Sequence, residues 1–485
     1  MGKFSFLFIL IVVFALFYPA FGVYFSHDDF FMFKVSQTDG SFQQFVNLFG
    51  FHPFSERGIA FYRPIFRELL YNSYYSFFGL NHLPFRIFSL FIHFINIWLV
   101  FTLVKTFFQK NNLAFFVALF FGISTPNVAI LYYLAGGIEA SGATAFALLT
   151  IIFFLKFLKS KKHSFAILSF ISYILALGAH EIAALTPILL AGILLVFNPV
   201  KKALPKVFTL WPYFLVLCIY LYLDIYAIGF STQEKQYQLV LSIKTLFNSF
   251  IWYLGWGLGL PEMLIDFIGP LLKLNPNLMR YWGNFFVAIF TSFALIVLIL
   301  GFNIIKLLLG NRVFFKDKKF WFFVFWFLIT LLPMLFLPAH KSSYYLALSL
   351  PALWIVVGLL IFVGPRILII LFIISAFILS ATGANLAITT YPAAVRGKLA
   401  QKIIKEITTT YPTLPKGAIL YFKNDPNYPN LTPEWGGSSR QISFILNGSD
   451  ALALLYKDPT IKAYYEDLNQ PLPGGKIYEI TLKIL

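Results

Sequence analysis

Residues 4–25 read FSFLFILIVVFALFYPAFGVYF and run directly into Ser26-His27-Asp28-Asp29-Phe30. The apolar stretch is long enough to cross a bilayer. Lys3 in front of it gives it the look of a secretory leader, but its length and the poor small-residue cleavage site at Tyr18-Pro19-Ala20-Phe21 predict a retained first helix. The rest of the chain is of one kind with it. It is 59% hydrophobic and only 12% charged, a composition suited to lipid rather than to water. The expected fold is therefore an all-α polytopic membrane protein. The single cysteine, Cys218, lies in an apolar run and can form no disulfide within the chain, so it reads as a packing residue.

Further apolar runs lie at 84–104, 113–126, 134–155, 164–180, 182–197, 207–227, 282–305, 320–337, 343–363 and 367–388. With the first they predict about 11 transmembrane helices. Placing the N-terminus in the cytoplasm puts Lys105 and Lys110, Lys156 to Lys162, Lys201 to Lys206, Lys306 to Lys319 and Arg366 in the internal loops, with Asp317 as their one acid. Short loops this basic mark the cytoplasmic side. The net charge of +17 then reports topology and contact with anionic membrane lipids, not nucleic acid.

The same alternation sends the acids outward. Asp28, Asp29, Asp39, Glu56 and Glu68 fall in a first external loop, 26–82. Glu139 and Glu181 sit near outer helix ends, and Asp224, Glu262 and Asp266 fall in or beside a second external segment, 228–281. Both segments read as amphipathic and interfacial, the second with Trp252, Trp256 and Trp282 at the belt where indoles collect. A site built from carboxylates must face the non-cytoplasmic side, where cytosolic nucleotide-sugars and ATP are not at hand. From Tyr391 the composition turns polar, with strand-like runs at 418–422, 441–446 and 476–480, predicting a small external α/β domain over 391–485 after a membrane domain over 1–390.

Several residues are candidates for chemistry. Adjacent positions point in different directions, so Asp28 and Asp29 divide the work: one faces a cavity, while the other pairs with an arginine or caps the following helix. A plain N-cap is the competing reading. His180-Glu181 at membrane depth calls for a watery cavity or a partner, or else sits among headgroups and ends its helix. Arg63, before Pro64, suits a phosphate and equally suits snorkelling to headgroups. His93 and Asn96 lie on one face of the second span, with interhelical hydrogen bonds as their default. Lys341 and Tyr344 at an outer helix end could hold an anion or anchor the interface.

In order, these pieces resemble the GT-C glycosyltransferases, particularly bacterial relatives of protein mannosyltransferases and transmembrane O-mannosyltransferases. The resemblance covers His27-Asp28-Asp29-Phe30, Tyr62-Arg63-Pro64, Phe78-Gly79-Leu80, Pro84-Phe85-Arg86, His93-Phe94-Ile95-Asn96, Pro126, Ala135-Gly136-Gly137-Ile138-Glu139, His180-Glu181 with Pro187, and Ser343-Tyr344-Tyr345-Leu346. The chain departs from the family pattern in having His180 where Lys is frequent, no arginine between Gly137 and Glu139, and Ser343 where Arg is usual. The resemblance implies a polyprenyl-phosphate-linked sugar as donor and direct, inverting transfer to a hydroxyl of a glycan, lipid or protein acceptor. Asp28 or Asp29 would then be the general base. Arg63, Arg86, Lys341 and Tyr344 would meet the donor phosphate, and His27, Tyr62, His93, Glu139, His180 and Glu181 would orient the acceptor. Some relatives use a divalent cation, magnesium or manganese; no ligand spacing stands out here, and Asp28 and Glu139 are the candidates. A transporter or flippase of a lipid-linked glycan, and an inactive scaffold, are the alternatives. Inverted repeats expected of the former are not visible.

Overall fold

The computed structural model describes residues 3–229, 235–269, 273–310, 312–429, 436–474 and 476–483, so 230–234 and 270–272 of the expected second external segment lie outside the described residues. Two compact units emerge. One gathers Met1–Tyr18, Gly50–Phe66 and Phe88–Ala387, the other Pro19–Phe49, Arg67–Ile87 and Ile388–Leu485. The expected boundary at 390/391 thus matches the start of the last segment only, and parts of the 26–82 loop group with the C-terminal residues.

Every apolar run picked out above carries a helix. Six are long and apolar enough to cross a membrane: His82–Phe108, Leu134–Ser160, Trp211–Gly229, Pro276–Gly310, Lys318–Leu335 and Arg366–Thr410. The pair Asn111–Ile123 and Pro126–Tyr132, bent by 56°, makes a seventh if counted as one span. Phe6–Gly22, His163–Ala179, Glu181–Phe197 and Leu350–Ile361 are apolar but shorter, so fewer spans meet the criterion than the eleven expected.

In the first unit the helix Leu134–Ser160 is central, with 83% of its apolar window buried against 22% for Pro276–Gly310. Sequence explains the difference. Ala135, Gly136, Gly137, Ala140, Ser141, Gly142 and Ala143 form a run of small side chains that lets neighbours approach closely, the usual device where lipid supplies no hydrophobic drive between helices. A Cβ on Gly142 would stand 2.1 Å from the Phe66 ring. The helix His163–Ala179 returns alongside it through a tight turn at Lys161, whose φ is +58°. Pro276–Gly310 instead presents Val287, Phe290, Leu298 and Ile305 outward. The interfacial reading of Trp256 is corrected: on the helix Ile243–Gly257 it is fully buried.

The second unit holds a parallel sheet of three short strands, β1 (Ile419–Lys423), β2 (Lys462–Tyr465) and β3 (Ile477–Thr481), in the order β2-β1-β3. Ile419 stands opposite both Lys462 and Ile477. The run 441–446, expected as a strand, lies in a helix, Ser438–Leu446. Its buried Ile442, Ile445 and Leu446 are spaced three and four apart, a helical stripe that a short run imitates in alternation. Phe33 packs among Phe25, Tyr71 and Phe85, with ring centroids 4.8, 4.8 and 5.2 Å away. Lys34 Nζ reaches Asp450 Oδ1 at 2.5 Å, fastening the helix Asp28–Val35 to the helix Asp450–Leu455.

Candidate functional site

In the first unit a polar cluster is built where apolar helices break. Gly137 passes so close to the Ile130 carbonyl that a Cβ would lie 2.2 Å from its oxygen. That approach joins the helices Pro126–Tyr132 and Leu134–Ser160 at Tyr133 and places Glu139, two residues on, in full burial. Gly137→Ala should therefore destabilise the protein by about 1–3 kcal/mol through overpacking against backbone, read as a lowered melting temperature in detergent; an unchanged melt would contradict this close approach.

His180 ends its helix in extended backbone, and its Nδ1 accepts a hydrogen bond from the Ile182 N–H at 3.2 Å, capping the 3-10 turn Glu181–Leu185. An Nδ1 that accepts cannot also donate to Glu181 Oε2, 3.3 Å away, so the contact is that of a neutral imidazole. Arg63 lies outside any helix, and Pro64 after it disfavours helical backbone at this position. Its Nε and Nη2 donate to the two oxygens of Glu181 at 2.9 and 2.6 Å, and its Nη1 donates to Glu139 Oε2 at 2.5 Å. The Phe61 ring lies 4.9 Å from the guanidinium carbon. Burial disfavours the charged guanidinium, but Glu181 and then Glu139 more than offset this, so its pKa lies well above the ordinary arginine value. One cation against two carboxylates gives the triad a formal charge of −1.

Tyr344 and Tyr345 stand on a 3-10 turn, Ser343–Leu346, with ring centroids 4.2 Å apart and with His180 6.4 and 6.3 Å away. Glu262, a residue the sequence did not single out, organises the approach to this turn. Its carboxylate accepts from Ser342 Oγ and Ser343 N, both at 3.1 Å, and from Ser343 Oγ. Lys341 donates to the Asn248 amide oxygen at 3.0 Å, and partial burial lowers its pKa. Tyr62 is fixed by its backbone, its N–H on Asp224 Oδ1 at 3.0 Å and its carbonyl accepting from Tyr220 at 3.4 Å, while its ring stacks on Phe51 at 4.0 Å.

Burial raises the Glu262 pKa above its ordinary 4.5, although the serine hydrogen bonds pull it back. A carboxyl raised in the folded state holds its proton more tightly there. The stability it contributes is complete below the ordinary carboxylate range and is lost as pH rises through the raised value. Glu262→Gln should remove this component, leaving a constant offset from the lost acceptor and a shallower fall in melting temperature with pH; parallel pH profiles would refute it.

His93 does not join the cluster. It is buried, with Nε2 2.9 Å from the Gly122 carbonyl, and Asn96 donates to Ser141 O and Oγ at 2.9 and 3.0 Å. Both make the interhelical bonds that were their default, so the orienting role offered for His93 has no side-chain surface to work with.

In the second unit the acidic pair divides. Asp29 is buried; its Oδ2 accepts from the Ser26 N–H at 3.1 Å and its Oδ1 lies 3.5 Å from the Tyr71 hydroxyl. Asp28 keeps 39% of its side chain exposed, with Oδ1 3.4 Å from His27 Nε2. Both acids occupy the first turn of Asp28–Val35, where the helix dipole favours negative charge. His27 has φ +49°, an uncommon backbone for a residue with a Cβ. It is held there by its N–H on the Ile445 carbonyl at 2.7 Å, its Nδ1 donating to the Phe444 carbonyl at 2.8 Å, and its ring stacked on Phe444 at 3.8 Å. With Nδ1 as donor, His27 turns its Nε2 toward Asp28. Arg86 is buried and donates through Nε to the Val23 carbonyl at 2.9 Å, with Nη2 3.5 Å from that of Tyr24. It braces the backbone leading into His27-Asp28-Asp29.

Among the described residues no group of three or more His, Cys, Asp or Glu side chains is gathered as a metal-ligand set. Compared with known proteins, the chain finds no match among protein-family models and none among curated proteins.

Proposed function

We propose that this chain is an integral membrane glycosyltransferase that moves a sugar from a polyprenyl-phosphate-linked donor to an acceptor hydroxyl on the non-cytoplasmic face. In this reading all eleven apolar helical runs span or enter the membrane, with the N-terminus cytoplasmic and residues 391–485 outside. The observation that carries it is the split of the acidic pair: Asp29 is buried on the Ser26 N–H, while Asp28 keeps part of its side chain exposed beside His27 Nε2.

Asp28 takes the proton of the acceptor hydroxyl as that oxygen bonds to the anomeric carbon. The bond from the anomeric carbon to the phosphate oxygen breaks, its electron pair stays on the departing polyprenyl phosphate, and the configuration inverts. His27 Nε2, 3.4 Å from Asp28 Oδ1, can then receive the proton.

The test is purified protein in nanodiscs supplied with a short-chain polyprenyl-phosphate hexose and a panel of acceptors, with released polyprenyl phosphate and glycosylated product followed by mass spectrometry. The expected result is retained donor and product formation. Retained donor without turnover points to the scaffold, and movement of intact donor across the bilayer points to the flippase.

A further inference from the structure

Independently of any transfer chemistry, we infer that the basic end of the first unit carries a binding site for an anionic phospholipid. A cavity of about 590 Å³ opens there, between the start of the helix Asn111–Ile123, the end of the helix Leu350–Ile361 and the turn Arg312–Lys316. Its lining is mixed. Lys110, Asn111 and Asn112 supply a cation and amide donors, and Phe314, Leu359 and Phe362 supply an apolar wall.

The surrounding charge has one sign. Lys306 Nζ lies on the Val363 carbonyl at 3.3 Å, Arg312 on the Leu308 carbonyl at 2.9 Å, and Lys319 Nζ 5.9 and 5.6 Å from the Phe107 and Phe108 rings. Each of these contacts is with a carbonyl or ring and leaves the positive charge uncancelled. The one acid of this region, Asp317, caps its helix through the Lys319 N–H at 2.8 Å. Beside the cavity-lining Val363, the side chain of Asn303 abuts Gly364, fully buried, with neither amide atom hydrogen-bonded by the described residues. This end of the bundle therefore concentrates cationic and polar groups around an apolar slot.

A free phosphate would use only the lysine and the amides. An anionic lipid uses both halves, its phosphate on Lys110, Asn111 and Asn112 and its chains against Phe314, Leu359 and Phe362. Near in sequence to the cavity-lining Phe314, large apolar side chains face outward as lipid-covered ones do, Leu309 being 81% and Val313 68% exposed.

The experiment uses the full chain in nanodiscs of equimolar phosphatidylglycerol and phosphatidylcholine, with the lipids retained after extraction counted by native mass spectrometry. The wild type should retain phosphatidylglycerol over phosphatidylcholine by at least about fivefold, the ratio for one lysine at an anionic membrane surface. Lys110→Glu, an exposed position, should abolish that preference with an unchanged melting temperature. Leu359→Trp should reduce the retained lipid by filling the slot. Equal retention of the two lipids by the wild type overturns the inference, as does an unaltered preference in Lys110→Glu. Loss of the lipid to millimolar inorganic phosphate overturns it as well, assigning the site to the free ion.

Discussion

Arg63→Ala is expected to cost about 3–5 kcal/mol of stability, the range for removing one partner of a buried ion pair. The cause lies in what remains. Glu139 is fully buried and Glu181 largely so, and without the guanidinium two carboxylates would face each other in a site of low polarity. The variant should express poorly and melt far below the wild type by fluorescence-detected size exclusion. Arg63→Lys keeps the charge but cannot reproduce a two-pronged bond to Glu181 together with a third to Glu139, so an intermediate loss is expected. In a Glu139→Gln/Glu181→Gln background the same Arg63→Ala change should cost much less, because the uncompensated charges are gone and contacting residues do not add. Equal costs in the two backgrounds would show that the triad is not an energetic unit.

Asp28→Asn should lower sugar transfer by about 10²–10⁴-fold, the share that general acid–base catalysis supplies, while leaving the melt within about 0.5 kcal/mol of the wild type, as for most surface changes. Asp29→Asn should do the reverse in kind. Its carboxylate serves the Ser26 N–H and stands by Tyr71, so the amide loosens the loop, lowers stability and reduces transfer only through misplacement of Asp28. Comparing transfer per folded molecule separates the two. If Asp28→Asn transfers at the wild-type rate per folded molecule, Asp28 is not the base.

How far residues could be read in advance depended on the distance to their partners. The apolar runs declare themselves locally, and each carries a helix. Arg63 stood out in the first external loop, Glu139 near an outer helix end and Glu181 at membrane depth, but the arginine lies 76 and 118 residues from its partners, so its capture by two carboxylates was not local information. Glu262 was placed among the outward acids but given no role for the same reason, its serines being 80 and 81 residues away. The split of Asp28 and Asp29 was foreseeable from side-chain direction alone, though which one turned inward depended on Tyr71. The helix Ser438–Leu446 was misread because a six-residue window of alternating apolar and polar side chains fits both periods.

The fastening of His27 to Phe444, 417 residues away, and of Lys34 to Asp450, 416 away, sets a timetable for biogenesis. The acidic loop is synthesised well before the Phe444 and Ile445 carbonyls that hold His27 at its positive φ. Closing so long a loop is slow compared with local helix formation. The geometry around Asp28 therefore cannot form before residues 444–450 have been made. It is assembled only once that stretch has joined the acidic loop, so all the apolar helices between them are made before the arrangement can be acquired.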